Sequence, residues 1–208
     1  MVSLLAMYKR LLDIYGPQGW WPTIKRGKIH YHPNDYNTPK NERDRFQITI
    51  GAILAQGTNW KNAEKALLSL YENNVLDYSS LLDMPIKKLA LLIRSSGYYN
   101  QKAERIKRLL PIYKKIRKCG SLRESREALL SVKGIGPETA DSILLYAFKK
   151  PVFVVDAYTL RFCIYYGLGN FKSYNDCQLF FEKNLPKNYR LFNEYHALIV
   201  RWGKEQFK

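Results

Sequence analysis

Residues 131–162, SVKGIGPETADSILLYAFKKPVFVVDAYTLRF, hold two glycines one residue apart and, twenty residues after Gly136, the carboxylate of Asp156 at the end of an apolar run. Gly134 and Gly136 let the chain reverse between two helices with no Cβ against a close neighbour, and Pro137 suits the first position of the second helix. Outward backbone N–H groups at such a turn, reinforced by a helix dipole, form a phosphate site that ignores base identity. Lys133 beside them adds charge. An ordinary helix–turn–helix connection uses the same glycines, so the pair alone leaves both readings open. Asp156 precedes AYTLRF, where it can cap a helix; that does not preclude a chemical role for its second oxygen.

The elements that position these residues are helical. Apolar residues recur at helical spacing in Leu4, Leu5, Tyr8, Leu11, Leu12 and Tyr15, ending at Gly16-Pro17, and again in Phe46, Ile50, Ile53 and Leu54. The polar stretch 27–45, with His30 and His32, reads as a long loop without metal-site spacing. Further helices are predicted from Asn59, over 79–83 and 85–95, and along the basic segment after SSGYY, where Pro111 should kink or break the helix. Segments 122–132, 138–148, 158–165, 175–184 and 189 onward complete the set. Only VFVVD looks extended, and it is too short to build a sheet. The expected fold is all-α, a single unit over 1–208. Asp141 is expected on an exposed helix face.

Bulk composition narrows the partner. The chain has 208 residues, 46% of them hydrophobic, which is enough for a real core. Lys and Arg number 34 against 18 acidic residues, so the net charge of +16 favours a polyanion. No apolar run reaches the roughly 18 to 20 residues that span a bilayer, so no membrane partner is expected. Cys119, Cys163 and Cys177 are odd in number and lack a CxxC, which suggests neither a disulfide framework nor a zinc site. A reducing compartment is the expectation.

L-x-x-V-K-G-I-G-P-E-T-A-D-x-I-L followed by P-V-F-V-V-D-A-Y-T-x-R resembles the endonuclease III-like, helix-hairpin-helix DNA glycosylases. GAILAQGTNWKNAEKAL (51–67) and SSGYYNQKAERI (95–106) are similar to two further segments of that family, so the resemblance covers most of the chain from about Trp20 onward. It implies base excision from damaged double-stranded DNA by a cytoplasmic monomer, nucleoid-associated in a prokaryote, built as two helical subdomains, 42–150 and 1–41 plus 151–208, with a DNA-binding cleft between them and Asp156 as the catalytic aspartate. It places Gln56 near the hole left by the flipped nucleotide. It also implies phosphate contacts from Lys133, Gly134, Gly136 and Thr139 at the hairpin, where a monovalent cation can sit, and from Asn100 and Lys102 on the basic helix. Such contacts should make binding weaken steeply with salt.

Three departures and matches sharpen the reading. Members that also cut the backbone carry a lysine in the hairpin's second helix; here that position is Glu138, and a carboxylate cannot form a Schiff base. Many relatives hold an iron-sulfur cluster on four cysteines after an HGR or HGK stretch, whereas no cysteine follows WGK (202–204), so no cluster and no required cofactor are expected. The pattern W-W-P, A-Q-x-T-x-aromatic, S-G-Y-Y-N-Q-K-A, K-G-I-G-x-E resembles the 3-methyladenine DNA glycosylase III type. That likeness puts Trp20, Trp21, Pro22, Trp60 and Lys204 around the base pocket, with Trp20 in the pocket and Trp21 in the core. Indole faces attract electron-poor and cationic rings such as alkylated purines.

A lysine ammonium at position 204 would repel a cationic base. A neutral amine, a carbamate, or an exposed lysine near a helix C-terminus are the alternatives. The rival functions are a glycosylase for mismatched or deaminated bases, a lyase, and a non-catalytic DNA-binding module.

Overall fold

The computed structural model describes residues 3–207. Helix α1 (Leu4–Tyr15) begins where Ser3 caps the Ala6 N–H and stops at Gly16. A β-hairpin follows, β1 (Thr23–Lys25) antiparallel to β2 (Lys28–His30), in the register Thr23↔His30 to Lys25↔Lys28. Its turn residues Arg26 and Gly27 both take positive φ, 50° and 74°, as a two-residue type I′ turn requires. This corrects the expectation that 27–45 is loop throughout, because β2 lies within it. Strands of three residues are too short for alternation to register.

VFVVD itself pairs with no strand among the described residues. Side chains satisfy its backbone instead: Glu182 accepts from the Phe153 N–H at 2.8 Å and Gln178 donates to the Phe153 carbonyl at 2.6 Å.

The centre of the molecule is α2 (Glu42–Leu54), buried at every residue from Phe46 to Leu54. It packs against β1, α3 (Trp60–Glu72), α6 (Tyr99–Ile116) and a π-helical turn (Ile143–Ala147). The buried stretch of α2 is apolar but for Gln47, which accepts from the Ile24 N–H, and Thr49, which donates to the Arg45 carbonyl, so it can be buried on all sides. Between α3 and α6 run α4 (Tyr78–Asp83), α5 (Ile86–Leu92) and a 3-10 turn (Arg94–Ser96). Helix α6 continues through Pro111, so the expected break does not occur. Pro111 faces solvent, where water can serve the Lys107 carbonyl that the proline leaves without a donor.

Helices α7 (Leu122–Leu130) and α8 (Pro137–Ser142) flank the glycine hairpin, and α8 runs on into the π turn. Then come α9 (Ala157–Tyr165), α10 (Tyr174–Asn184) and α11 (Tyr189–Gln206), with α11 packed on α9, α1 and the π turn.

Asp141 is fully buried, not exposed. Its carboxylate accepts from Arg126 Nε at 2.7 Å and NH2 at 3.0 Å, from the Tyr174 hydroxyl at 2.8 Å and from Gln178 at 2.8 Å. Four donors compensate the lost hydration, and the carboxylate joins α7, α8 and α10. Arg126→Met leaves that charge without its bidentate partner and should lower unfolding free energy in urea by about 3 kcal/mol.

Candidate active site

Asp156 is the N-cap of α9. Its Oδ1 accepts from the Thr159 N–H at 2.7 Å and the Thr159 hydroxyl at 2.9 Å, while Thr159 Oγ1 accepts from the Asp156 N–H at 3.3 Å. This capping box immobilises one oxygen. Oδ2 faces His196 Nε2 at 3.7 Å, beyond a hydrogen bond and within electrostatic reach. Burial by itself would raise the Asp156 carboxyl; His196 and Thr159 outweigh it and hold the carboxyl below the usual range. The side chain keeps 15% of its surface open.

A chain of rings leads from this carboxylate to the tryptophans. His196 Nδ1 lies 2.6 Å from the Tyr146 hydroxyl, and the Tyr146 ring packs edge-on to Trp21 at 5.3 Å. Trp20, Trp21 and Trp60 meet edge to face at 5.0–5.4 Å between centroids. Trp21 is buried against α2, where a Cβ on Gly51 would meet its Nε1 at 3.0 Å; Trp20 and Trp60 are half-buried. Pro22 is buried between Trp21 and β1. Trp60 opens α3 and donates from Nε1 to Glu64 at 2.7 Å.

Lys204 Nζ stands over the Trp20 ring at 5.8 Å. Burial lowers its pKa although the Asp156 charge opposes the shift. The residue as a whole is exposed.

At the hairpin, Gly134 has φ +93° and leaves the space that the Arg105 side chain occupies. Gln56 joins these parts: its Nε2 donates to the Gly134 carbonyl at 3.1 Å and to Thr139 Oγ1 at 2.8 Å, and its Oε1 accepts from Arg105 at 2.7 Å. Lys133, Gly134, Gly136 and Asn100 are exposed, whereas Thr139 is buried.

Lys102 corrects the expected phosphate contact. It is fully buried, donating to the Leu54 carbonyl at 2.8 Å and the Ser96 carbonyl at 2.6 Å, and burial pushes its pKa down to about 8. The signal was in the sequence: Lys102 shares the stripe of Ile106, Leu109 and Tyr113 that faces the core.

Four residues escaped the sequence reading: Arg105, Tyr146, His196 and Glu194. Glu194 is fully buried and accepts from the Gln18 N–H at 2.6 Å and the Tyr36 hydroxyl at 2.8 Å, which ties the tryptophan-bearing segment to α11. Nothing in their local sequence distinguishes them from core residues.

Among the described residues, no group of three or more His, Cys, Asp or Glu side chains is arranged to hold a metal. His32 is buried against Thr23 at 3.0 Å, and burial pushes its pKa down to about 4. Cys163 and Cys177 lie 3.9 Å apart in the core, and three cysteines do not fit a four-cysteine cluster. A separate cavity of about 220 Å³ between α1, α9 and α11 contains none of the expected site residues. No described helix is long and apolar enough to cross a membrane.

Residues 50–187 match the HhH-GPD superfamily base excision DNA repair protein family. The chain belongs to that superfamily. It is 40% identical to the "Putative DNA repair glycosylase MJ1434" of Methanocaldococcus jannaschii, over 97% of this chain and 87% of that protein. With the endonuclease III of Thermotoga maritima it shares 32% identity over 80% of this chain and 77% of the relative. Among solved structures, the H. pylori 3-methyladenine DNA glycosylase bound to 1,N6-ethenoadenine superposes with a TM-score of 0.77 at 26% identity, covering all of both chains. The expected all-α helix-hairpin-helix architecture is therefore shown, together with membership of the base-excision glycosylases.

Because its folded pKa is depressed, Asp156 contributes stability that is present above the ordinary carboxylate range and lost as pH falls through the folded value. Asp156→Asn should thus flatten the acid limb of the stability profile, measured as urea midpoint against pH.

Proposed function

We propose that this glycosylase is monofunctional and hydrolyses the N-glycosidic bond of alkylated purines such as 3-methyladenine in duplex DNA, with no required cofactor. The observation that carries the reading is the continuous path from Asp156 through His196 and Tyr146 to the tryptophan trio. A carboxylate that remains ionised is within a few side chains of an electron-rich aromatic slot. The likeness to the H. pylori 3-methyladenine glycosylase supports the same substrate class.

In this reading the duplex gives up the damaged nucleotide, Gln56 leaves its hairpin partners to prop the gap, and the base enters beside Trp20 and Trp60. The bond between C1′ and the base nitrogen breaks with its electron pair leaving on the purine. Alkylation has already made that purine a good leaving group. Positive charge develops on the deoxyribose, where Asp156 Oδ2 stabilises it and orients a water; the water's oxygen bonds to C1′ and its proton departs. Glu138 supports hydrolysis over strand cleavage. Burial first, and the Asp156 charge second, raise its carboxyl, and no amine stands there to attack the sugar. Its side chain is solvent-exposed. Lys133 and the exposed hairpin backbone would hold the flanking phosphates.

Base release from methylated duplex DNA should fall by about 100-fold or more in Asp156→Asn with DNA affinity kept, and no strand scission should appear before alkali or heat. Equal release by the variant would remove the catalytic role; spontaneous scission would restore the lyase reading; release only from mismatched or uracil-containing DNA would reassign the pocket.

The Lys204 amine must not repel a cationic ring. Burial lowers its pKa, and the unprotonated fraction of the amine can attack carbon dioxide, form an N–C bond and lose a proton to give a carbamate. A carbamate resonance from the enzyme in 13C-labelled bicarbonate, absent in Lys204→Arg, is the expected result; no such resonance would remove the carbamate.

A further inference from the structure

His196 Nε2 is buried and has no hydrogen-bond partner, yet it points at Asp156 Oδ2 from 3.7 Å. Orphaned polar atoms in a packed interior are uncommon and call for a reason. Its other nitrogen is engaged with the Tyr146 hydroxyl at 2.6 Å, and that hydroxyl also lies 3.3 Å from the Asn193 carbonyl. Burial, reinforced by the charges of Glu194 and Asp156, raises Tyr146 well above the ordinary tyrosine range, so the phenol keeps its proton.

A phenol has one hydrogen to give. Donated along the shorter contact, to His196 Nδ1, it leaves the ring proton on Nε2 facing the carboxylate. Donated to Asn193, it requires a proton on Nδ1, and a neutral ring would then aim a lone pair at a carboxylate oxygen. The first arrangement is electrostatically favourable and the second is not.

We infer that Tyr146 and His196 act as a positioning pair for Asp156, with Tyr146 fixing the Nε2–H form of the imidazole so that it orients Oδ2 while the carboxylate keeps its full negative charge. The capping box fixes Oδ1, the imidazole orients Oδ2, and the packing of Tyr146 on Trp21 links the carboxylate's orientation to the aromatic slot. This rests on the proposed role of Asp156.

The other groups near Asp156 cannot do the same work. Glu138 of α8 repels it, Cys177 of α10 and Tyr146 interact with its charge without donating to it, and Lys204 of α11 interacts by charge alone. His196 is therefore the side chain placed to present an N–H to Oδ2.

The test follows the Asp156 carboxyl carbon by 13C NMR as pH is varied in the free protein, a readout that needs no substrate. In wild type the carboxyl titrates below the ordinary aspartate range. Losing the Nε2 donor raises the cost of the anion, so His196→Phe should move the titration upward, and His196→Gln, whose amide reaches the same place, should return it toward wild type. The acid limb of single-turnover base release should move in the same direction.

Should His196→Phe fail to fold, Tyr146→Phe supplies the second test. 15N spectra of its imidazole should show loss of the single Nε2–H form present in wild type. An unmoved carboxyl titration in folded His196→Phe, no recovery in His196→Gln, or an unchanged tautomer in Tyr146→Phe would overturn the pair. An upward shift in an enzyme that releases no alkylated base would keep the pair and discard the substrate proposal.

Discussion

A carboxylate taken out of water must first be stabilised where it stands, and in this protein that requirement fixes the layout around Asp156. Two donors from Thr159 hold one oxygen at the start of α9, and the imidazole of α11 faces the other. The anion persists because these contacts outweigh desolvation. Capping and chemistry are thus divided between the two oxygens of one side chain. Helix α9 must begin at Asp156 for Oδ1 to be occupied, and α11 must cross it closely for His196 to reach Oδ2. Gly203 permits that approach, since a Cβ there would run into the Tyr158 ring.

The aromatic slot depends on a second buried carboxylate used differently. Glu194 takes no part in the chemistry proposed here; it anchors the segment carrying Trp20 and Trp21 by accepting from the Gln18 backbone and the Tyr36 hydroxyl. Burial raises its pKa, and the two donors oppose that rise. Asp141, held by Arg126, Tyr174 and Gln178, is the third such group and is structural. Three buried acids on neighbouring elements have three separate tasks, set by what faces each one.

The hairpin is joined to the core by Gln56 and Arg105. Arg105 fills the space beside Gly134 and also holds the Gln56 amide, so the glycine is required for both its backbone angle and its missing Cβ. Movement of Gln56 away from this lattice would release contacts to α6, the hairpin and Thr139 together.

What the sequence determined by itself were features carried by local spacing: the helical periodicity, the caps at Asn59 and Asp156, the glycine turn before Pro137, and the family motifs around them. It also contained the placement of Lys102, which lies in phase with its helix's buried stripe, although charge type suggested otherwise. The β-hairpin was beyond it because two three-residue strands carry too little pattern. Asp141 was beyond it because its burial depends on partners at positions 126, 174 and 178, far off in the chain. For the same reason only the tertiary structure brought His196 and Tyr146, fifty residues apart, to Asp156: hydrogen bonds act across space, and their partners leave no periodic trace in the chain.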